Sequence, residues 1–159
     1  MTAVPTPPVV IIGIGNLMRR DDGIGPAAVA CLEHTDLARP SGEQELMTLD
    51  GEPARLLEAW RGRRLAIIID AARSGIAAGS IHRLEIGTDP LPAWAAGSST
   101  HSAGIAEAVA LGRVLDVLPE QLIVYGIEAA DFAPGEGLSS AVSAALPGLI
   151  SQVTAEATR

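Results

Sequence analysis

Val9-Val-Ile-Ile-Gly-Ile14 is an apolar run with no polar position in it and a β-branched side chain everywhere except Gly13. A strand with one face in water alternates apolar and polar residues. An unbroken run of this kind therefore predicts a strand covered on both faces, as in the interior of a parallel sheet. Gly15 to Gly25 follows as a glycine-punctuated polar loop. Pro26 stands where its fixed φ suits a first helical turn, which predicts a helix to about His34. Leu65-Ala-Ile-Ile-Ile69, stopping at Asp70, and Leu122-Ile-Val-Tyr-Gly-Ile127 repeat the pattern of the first run. Glu45-Leu-Met-Thr-Leu49 supplies another strand, closed by Asp50-Gly51. Ser80 to Ile86 alternates with period two, which predicts a half-exposed strand at a sheet edge.

Helical segments fall between these strands. One opens at Pro53 with Leu56, Leu57 and Trp60 as its apolar stripe, and another is predicted from about Ser102 to Leu118, after a Pro- and Gly-rich loop from Thr88 to Ser99. A third closes the chain, with Pro147 expected to bend it. Strands alternating with helices read as βαβ units with right-handed crossovers. The expected fold is an α/β domain, a three-layer αβα sandwich around a twisted, mainly parallel five-stranded sheet. With no repeat or linker in view, residues 1–159 are read as one domain, and Met1 to Pro8 as a short disordered leader.

Composition narrows the functional classes. Hydrophobic residues make up 48% of the 159 and charged ones 19%, which is a globular balance, and 3% aromatics leave an aliphatic core. A formal net charge of −8 repels a phosphate backbone, which argues against nucleic acid as a partner. No apolar run approaches the roughly 20 residues that cross a bilayer, and the first residues lack the basic and apolar segments of an export signal. A cytoplasmic location is expected, without membrane contact. Cys31, the only cysteine, has no internal disulfide partner.

Ligands of open α/β sheets bind outside the carboxyl ends of the strands, where the strand order reverses. That rule selects Asp21 and Asp22 after the first strand, Asp70 after the third, and His101 at the mouth of the helix that follows the Thr88 to Ser99 loop. If the first and third strands are neighbours, Asp22 and Asp70 face each other across the crevice and His101 can close the set. Two carboxylates and an imidazole suit a borderline divalent ion such as Zn²⁺, Ni²⁺ or Fe²⁺, whereas Cu(I) and iron–sulfur clusters prefer thiolates. Each residue also has a structural reading. Asp22 can cap a helix, Asp70 can form a turn, and His101 can simply be solvated at a helix start. His34 and His82 are read as structural. Gly13-Ile-Gly15 begins a dinucleotide-binding G-x-G-x-x-G, but Met18 occupies the third glycine position. Neither a His-Glu-x-x-His pair nor a Gly-x-Ser-x-Gly elbow is present.

Gly13-Ile-Gly-Asn16, Asp21-Asp22-Gly23-Ile-Gly25, Ile69-Asp70-Ala71 and Ser99-Thr-His101-x-x-Gly104 occur in that order. Together they resemble the hydrogenase maturation endopeptidases. The likeness continues through Glu107 to Gly112, Val124-Tyr-Gly-Ile-Glu128, Phe132 and Leu138-Ser139, nearly the whole chain. The resemblance implies a phosphorylase/hydrolase-like fold and an endopeptidase that removes a C-terminal extension from the large-subunit precursor of a nickel-iron hydrogenase once nickel is inserted. It implies that Asp22, Asp70 and His101 engage that nickel, with Asp22 and Asp70 as the catalytic pair. The nickel then arrives with the substrate. Asp22 stands where some members carry Glu, and Glu52-Pro53 stands where several carry Gly-Thr. Asp21 and Glu128 are reserve candidates for acid–base work. The protein is expected to act as a monomer, and a non-catalytic nickel-dependent chaperone for the same subunit is the alternative.

Overall fold

In the computed structural model, which describes residues 3, 5–38, 42–95 and 100–159, five strands form one sheet. They are β1 (Val9–Ile14), β2 (Gln44–Leu49), β3 (Leu65–Ala72), β4 (Ile81–Glu85) and β5 (Gln121–Glu128), in the order β2-β1-β3-β5-β4. All pairs are parallel except β4 with β5. The apolar runs become the three central strands, buried along almost their whole length, and the alternating run becomes the antiparallel edge.

Alternate residues of the central strands feed two cores. Val9, Ile11, Ile67, Ile69, Ile123, Tyr125 and Ile127 pack against α1 (Ile24–Leu32) and α4 (Ser140–Ala157). Val10, Ile12, Ile14, Ala66, Ile68, Leu122 and Val124 pack on the other face against α2 (Pro53–Trp60) and α3 (Thr100–Leu115). The three-layer αβα sandwich expected from the sequence is the observed architecture. α4 continues through Pro147, with Val142 before it and Leu149, Val153 and Ala157 after it held in the first core.

Several boundaries differ from expectation. β3 does not stop at Asp70 but runs to Ala72, because its last residues pair with Gly126 to Glu128 of β5. α1 ends at Leu32 rather than His34, and α3 at Leu115 rather than Leu118. At the start of the chain, Pro7 and Pro8 are tied to the sheet. The Pro7 carbonyl accepts from Arg63 Nη1 at 2.7 Å, and that of Pro8 from the amides of Arg64 and Leu65.

The first helix seats on the sheet through glycine. A Cβ on Gly25 would lie 2.4 Å from the Ile14 carbonyl oxygen and 2.6 Å from that of Ile69. The start of α1 therefore rests in the fork between β1 and β3, closer than any side chain permits. Gly25→Ala is expected to cost about 2 kcal/mol or more through backbone displacement, read as a lowered thermal midpoint. A midpoint equal to wild type would contradict so tight a seat.

Candidate active site

The fork between β1 and β3 is where the strand order reverses, since the chain leaves β1 toward β2 on one side and reaches β3 on the other. The β1–β3 ladder ends at Gly13 and Ile69, while β3 continues beside β5. Asp70 therefore lies one residue beyond the β1–β3 ladder, still paired with Gly126 of β5. Asp70 is 3% exposed and its Oδ1 accepts from the Ala71 amide at 2.8 Å.

Asp22 is carried by a folded-back loop after β1. Gly15 turns the chain at φ 142°, and a Cβ there would lie 1.8 Å from the Asp22 carbonyl oxygen. Asn16 stitches the loop together: its amide donates to Asp22 Oδ2 at 2.9 Å and its Oδ1 accepts from the Met18 amide at 2.9 Å. The 3-10 turn Arg20–Gly23 that carries Asp22 packs against β3, and Asp22 too is 3% exposed. The turn that carries Asp22 thus lies against the strand that carries Asp70.

The neighbouring acid does something else. Asp21 is fully buried and points away into the loops before α4. Its Oδ2 accepts from the amides of Ala130 and Asp131 and from Ser139 Oγ, at 2.8, 3.0 and 2.8 Å, and its Oδ1 from the Ser139 amide at 2.7 Å. Burial pushes this carboxyl up, but the donors from Ser139, Ala130 and Asp131 outweigh it and hold the carboxyl below its ordinary 3.8. Glu128 follows the same logic. Burial raises it, and the amides of Ser74 and Gly75, the Ser74 hydroxyl and His82 bring it below its ordinary value. Both reserve candidates are ionised staples of loop structure with their oxygens already engaged.

His101 lies in the first turn of α3, and its side chain is outside the described residues. Among the described residues, no group of three His, Cys, Asp or Glu side chains is arranged to hold a metal ion. The seat of α3 is well defined one turn later. A Cβ on Gly104 would lie 2.0 Å from the Gly51 carbonyl oxygen, so the helix start abuts the loop after β2. In that loop Glu52 caps α2, accepting from the amides of Ala54 and Arg55 at 3.1 Å each, with Pro53 at the first helical position. The Gly104–Gly51 contact is not evident from sequence, where its only signal is a glycine inside a helix, a position that propensity disfavours.

Comparison with known proteins adds the following. A family model described as hydrogenase maturation protease matches residues 35–156. The hydrogenase expression/formation protein HupD of Thiocapsa roseopersicina is 28% identical over 122 residues, 77% of this chain and 54% of that protein. This chain therefore spans little more than half the length of the curated relatives it matches. The hydrogenase maturating endopeptidase HybD from E. coli superposes with a TM-score of 0.77 at 26% identity, over 93% of this chain and 90% of that one. HybD from Thermococcus kodakarensis shares the fold at a TM-score of 0.70 and 21% identity, over 94% and 98% of the two chains. No helix among the described residues is long and apolar enough to cross a membrane.

Proposed function

Because the chain belongs to the hydrogenase maturation protease family, we propose that it is an endopeptidase that removes the C-terminal extension of a nickel-loaded hydrogenase large-subunit precursor. The observation that supports this reading is the pair of nearly buried carboxylates, Asp22 on the turn after β1 and Asp70 in β3 just past the end of the β1–β3 ladder, beside the point where the strand order reverses. Oxygen donors of this kind suit a borderline divalent cation, for which His101 of α3 would supply a nitrogen.

The nickel belongs to the substrate. Its capture by Asp22, Asp70 and His101 places the scissile peptide in the crevice, and much of the acceleration comes from that positioning. One carboxylate of the pair takes a proton from the attacking water. The hydroxyl oxygen bonds to the peptide carbon, the C–N bond breaks, and the proton passes to the leaving amine. Asp21 and Glu128 take no part, their oxygens being committed to loop amides and hydroxyls. The protein works in the cytoplasm as a monomer, which leaves the strand ends open to a large partner.

The test is to incubate nickel-loaded and nickel-free precursor with the protein and weigh the products by mass spectrometry. Loss of a C-terminal peptide from the nickel-loaded form alone is expected. Equal loss from both forms contradicts nickel-dependent recognition. Loss from neither, with stable binding of the loaded form, identifies a chaperone instead.

A further inference from the structure

We infer that Leu17 and Met18, on the loop between β1 and the turn that carries Asp22, form a fixed apolar dock for the large-subunit precursor, receiving apolar side chains of the precursor surface around its nickel. The inference rests on the endopeptidase reading and assigns that reading a protein–protein contact.

Leucine and methionine are among the residues most often buried, yet Leu17 is 55% and Met18 54% exposed. Single exposed apolar residues are ordinary, but these two are adjacent and share a loop with Asp22. The chain itself bounds their distance from the carboxylate. The Asn16 amide lies 2.9 Å from Asp22 Oδ2, and Leu17 and Met18 are the next two residues, so both Cα atoms fall within about 12 Å of that oxygen. Leu17 also lies against the residue that follows Asp22. A Cβ on Gly23 would be 3.0 Å from the Leu17 Cα and 3.2 Å from its Cδ2.

The loop that presents the pair is tied down on both sides. The Met18 amide donates to Asn16 Oδ1 at 2.9 Å, and the Met18 carbonyl accepts from the Gly135 amide at 2.8 Å. The Arg20 amide donates to the Gly135 carbonyl at 3.0 Å, and Arg20 Nη1 to the Glu136 carbonyl at 2.9 Å. Little backbone freedom is left to lose on association, so burial of the two side chains goes into affinity.

The size of the partner selects the occupant. An ordinary protein–protein contact covers about 800 Å² on each side, a patch about 16 Å in radius. A precursor whose nickel is held by Asp22 therefore covers residues 17 and 18 as well, and only apolar side chains gain by meeting them there. A second copy of this chain on the same loop would block Asp22.

The experiment compares wild type with the double variant Leu17→Asn, Met18→Gln, which is polar at nearly constant shape, and with Leu17→Met, Met18→Leu, which stays apolar. Val114→Ser is the control, replacing an 83% exposed apolar residue about 20 Å along α3 from its start. The KM for nickel-loaded precursor is expected to rise about tenfold or more in the polar double variant with kcat within about twofold, to stay within about threefold of wild type in the apolar one, and to be unaffected by Val114→Ser. Wild-type KM in the polar variant would overturn the proposal, as would an equal rise in Val114→Ser. A fall in kcat at constant KM would overturn it too, since the loop would then only orient Asp22. Sedimentation of the protein alone is expected to give the same mass for wild type and polar variant, and a wild-type dimer that the polar variant dissociates would make a second copy the occupant instead. If wild type cleaves no precursor, the endopeptidase reading fails, and the Kd for nickel-loaded precursor still decides the dock: weaker binding by the polar variant upholds it, and no difference overturns it.

Discussion

Asp22→Asn is expected to reduce kcat/KM for nickel-loaded precursor by about 10²- to 10⁴-fold, the range associated with losing a positioned acid–base group. The amide keeps the carboxylate's shape and retains one oxygen to accept from the Asn16 amide, so the loop should hold. The thermal midpoint is expected to stay within about 3 °C of wild type. What the amide lacks is negative charge, which is the property required both for a cation and for a proton acceptor. Undiminished cleavage by a folded Asp22→Asn protein would remove Asp22 from the mechanism.

Asp21→Ala is expected to do the reverse. It strands the amides of Ala130, Asp131 and Ser139 and the Ser139 hydroxyl, all of which converge on one buried carboxylate. Removing the acceptor from a buried charged network costs about 3–5 kcal/mol, a large part of a domain's roughly 5–15 kcal/mol. A fall in thermal midpoint of about 10–15 °C follows for a chain of this size. A drop below about 3 °C would show that the loops before α4 do not depend on Asp21. Adjacent aspartates thus separate into one substitution that stops turnover in a stable protein and one that weakens the fold.

The same carboxylate carries a pH signature. The Asp21 carboxyl titrates below its ordinary 3.8 in the folded chain, and those of Glu128 and Glu156 below 4.5. A depressed folded value means that the unfolded chain takes up protons first as the solution is acidified. The stability these groups supply is therefore complete above the ordinary values and is lost as pH falls through the folded ones. Wild type should lose thermal stability from about pH 4.5 downward, and Asp21→Asn should show a shallower acid limb.

Much of the layout was legible because burial writes itself into composition. Val9 to Ile14, Leu65 to Ile69 and Leu122 to Ile127 are apolar at every position because each lies inside the sheet, and Ser80 to Ile86 alternates because β4 is an edge. Extension of β3 through Asp70 was not legible, because a polar residue inside a strand looks like its end unless the partner's length is known. The division between Asp21 and Asp22 was equally hidden. Both follow the same strand in the same Asp-Asp-Gly, and only the partners of each side chain separate Asp21, which ties down the loops before α4, from Asp22, which accepts from the Asn16 amide of its own loop.

Sequence alone determined which residue types were available: two carboxylates and an imidazole near strand ends, in an order resembling one family. Tertiary structure decided which segments become neighbours. β1 and β3 become neighbours only when β2 crosses to the outside, and α1 can enter their fork only because residue 25 has no side chain. The physical reason is that local pattern reports burial, which each segment carries by itself, whereas convergence depends on backbone contacts between segments remote in sequence.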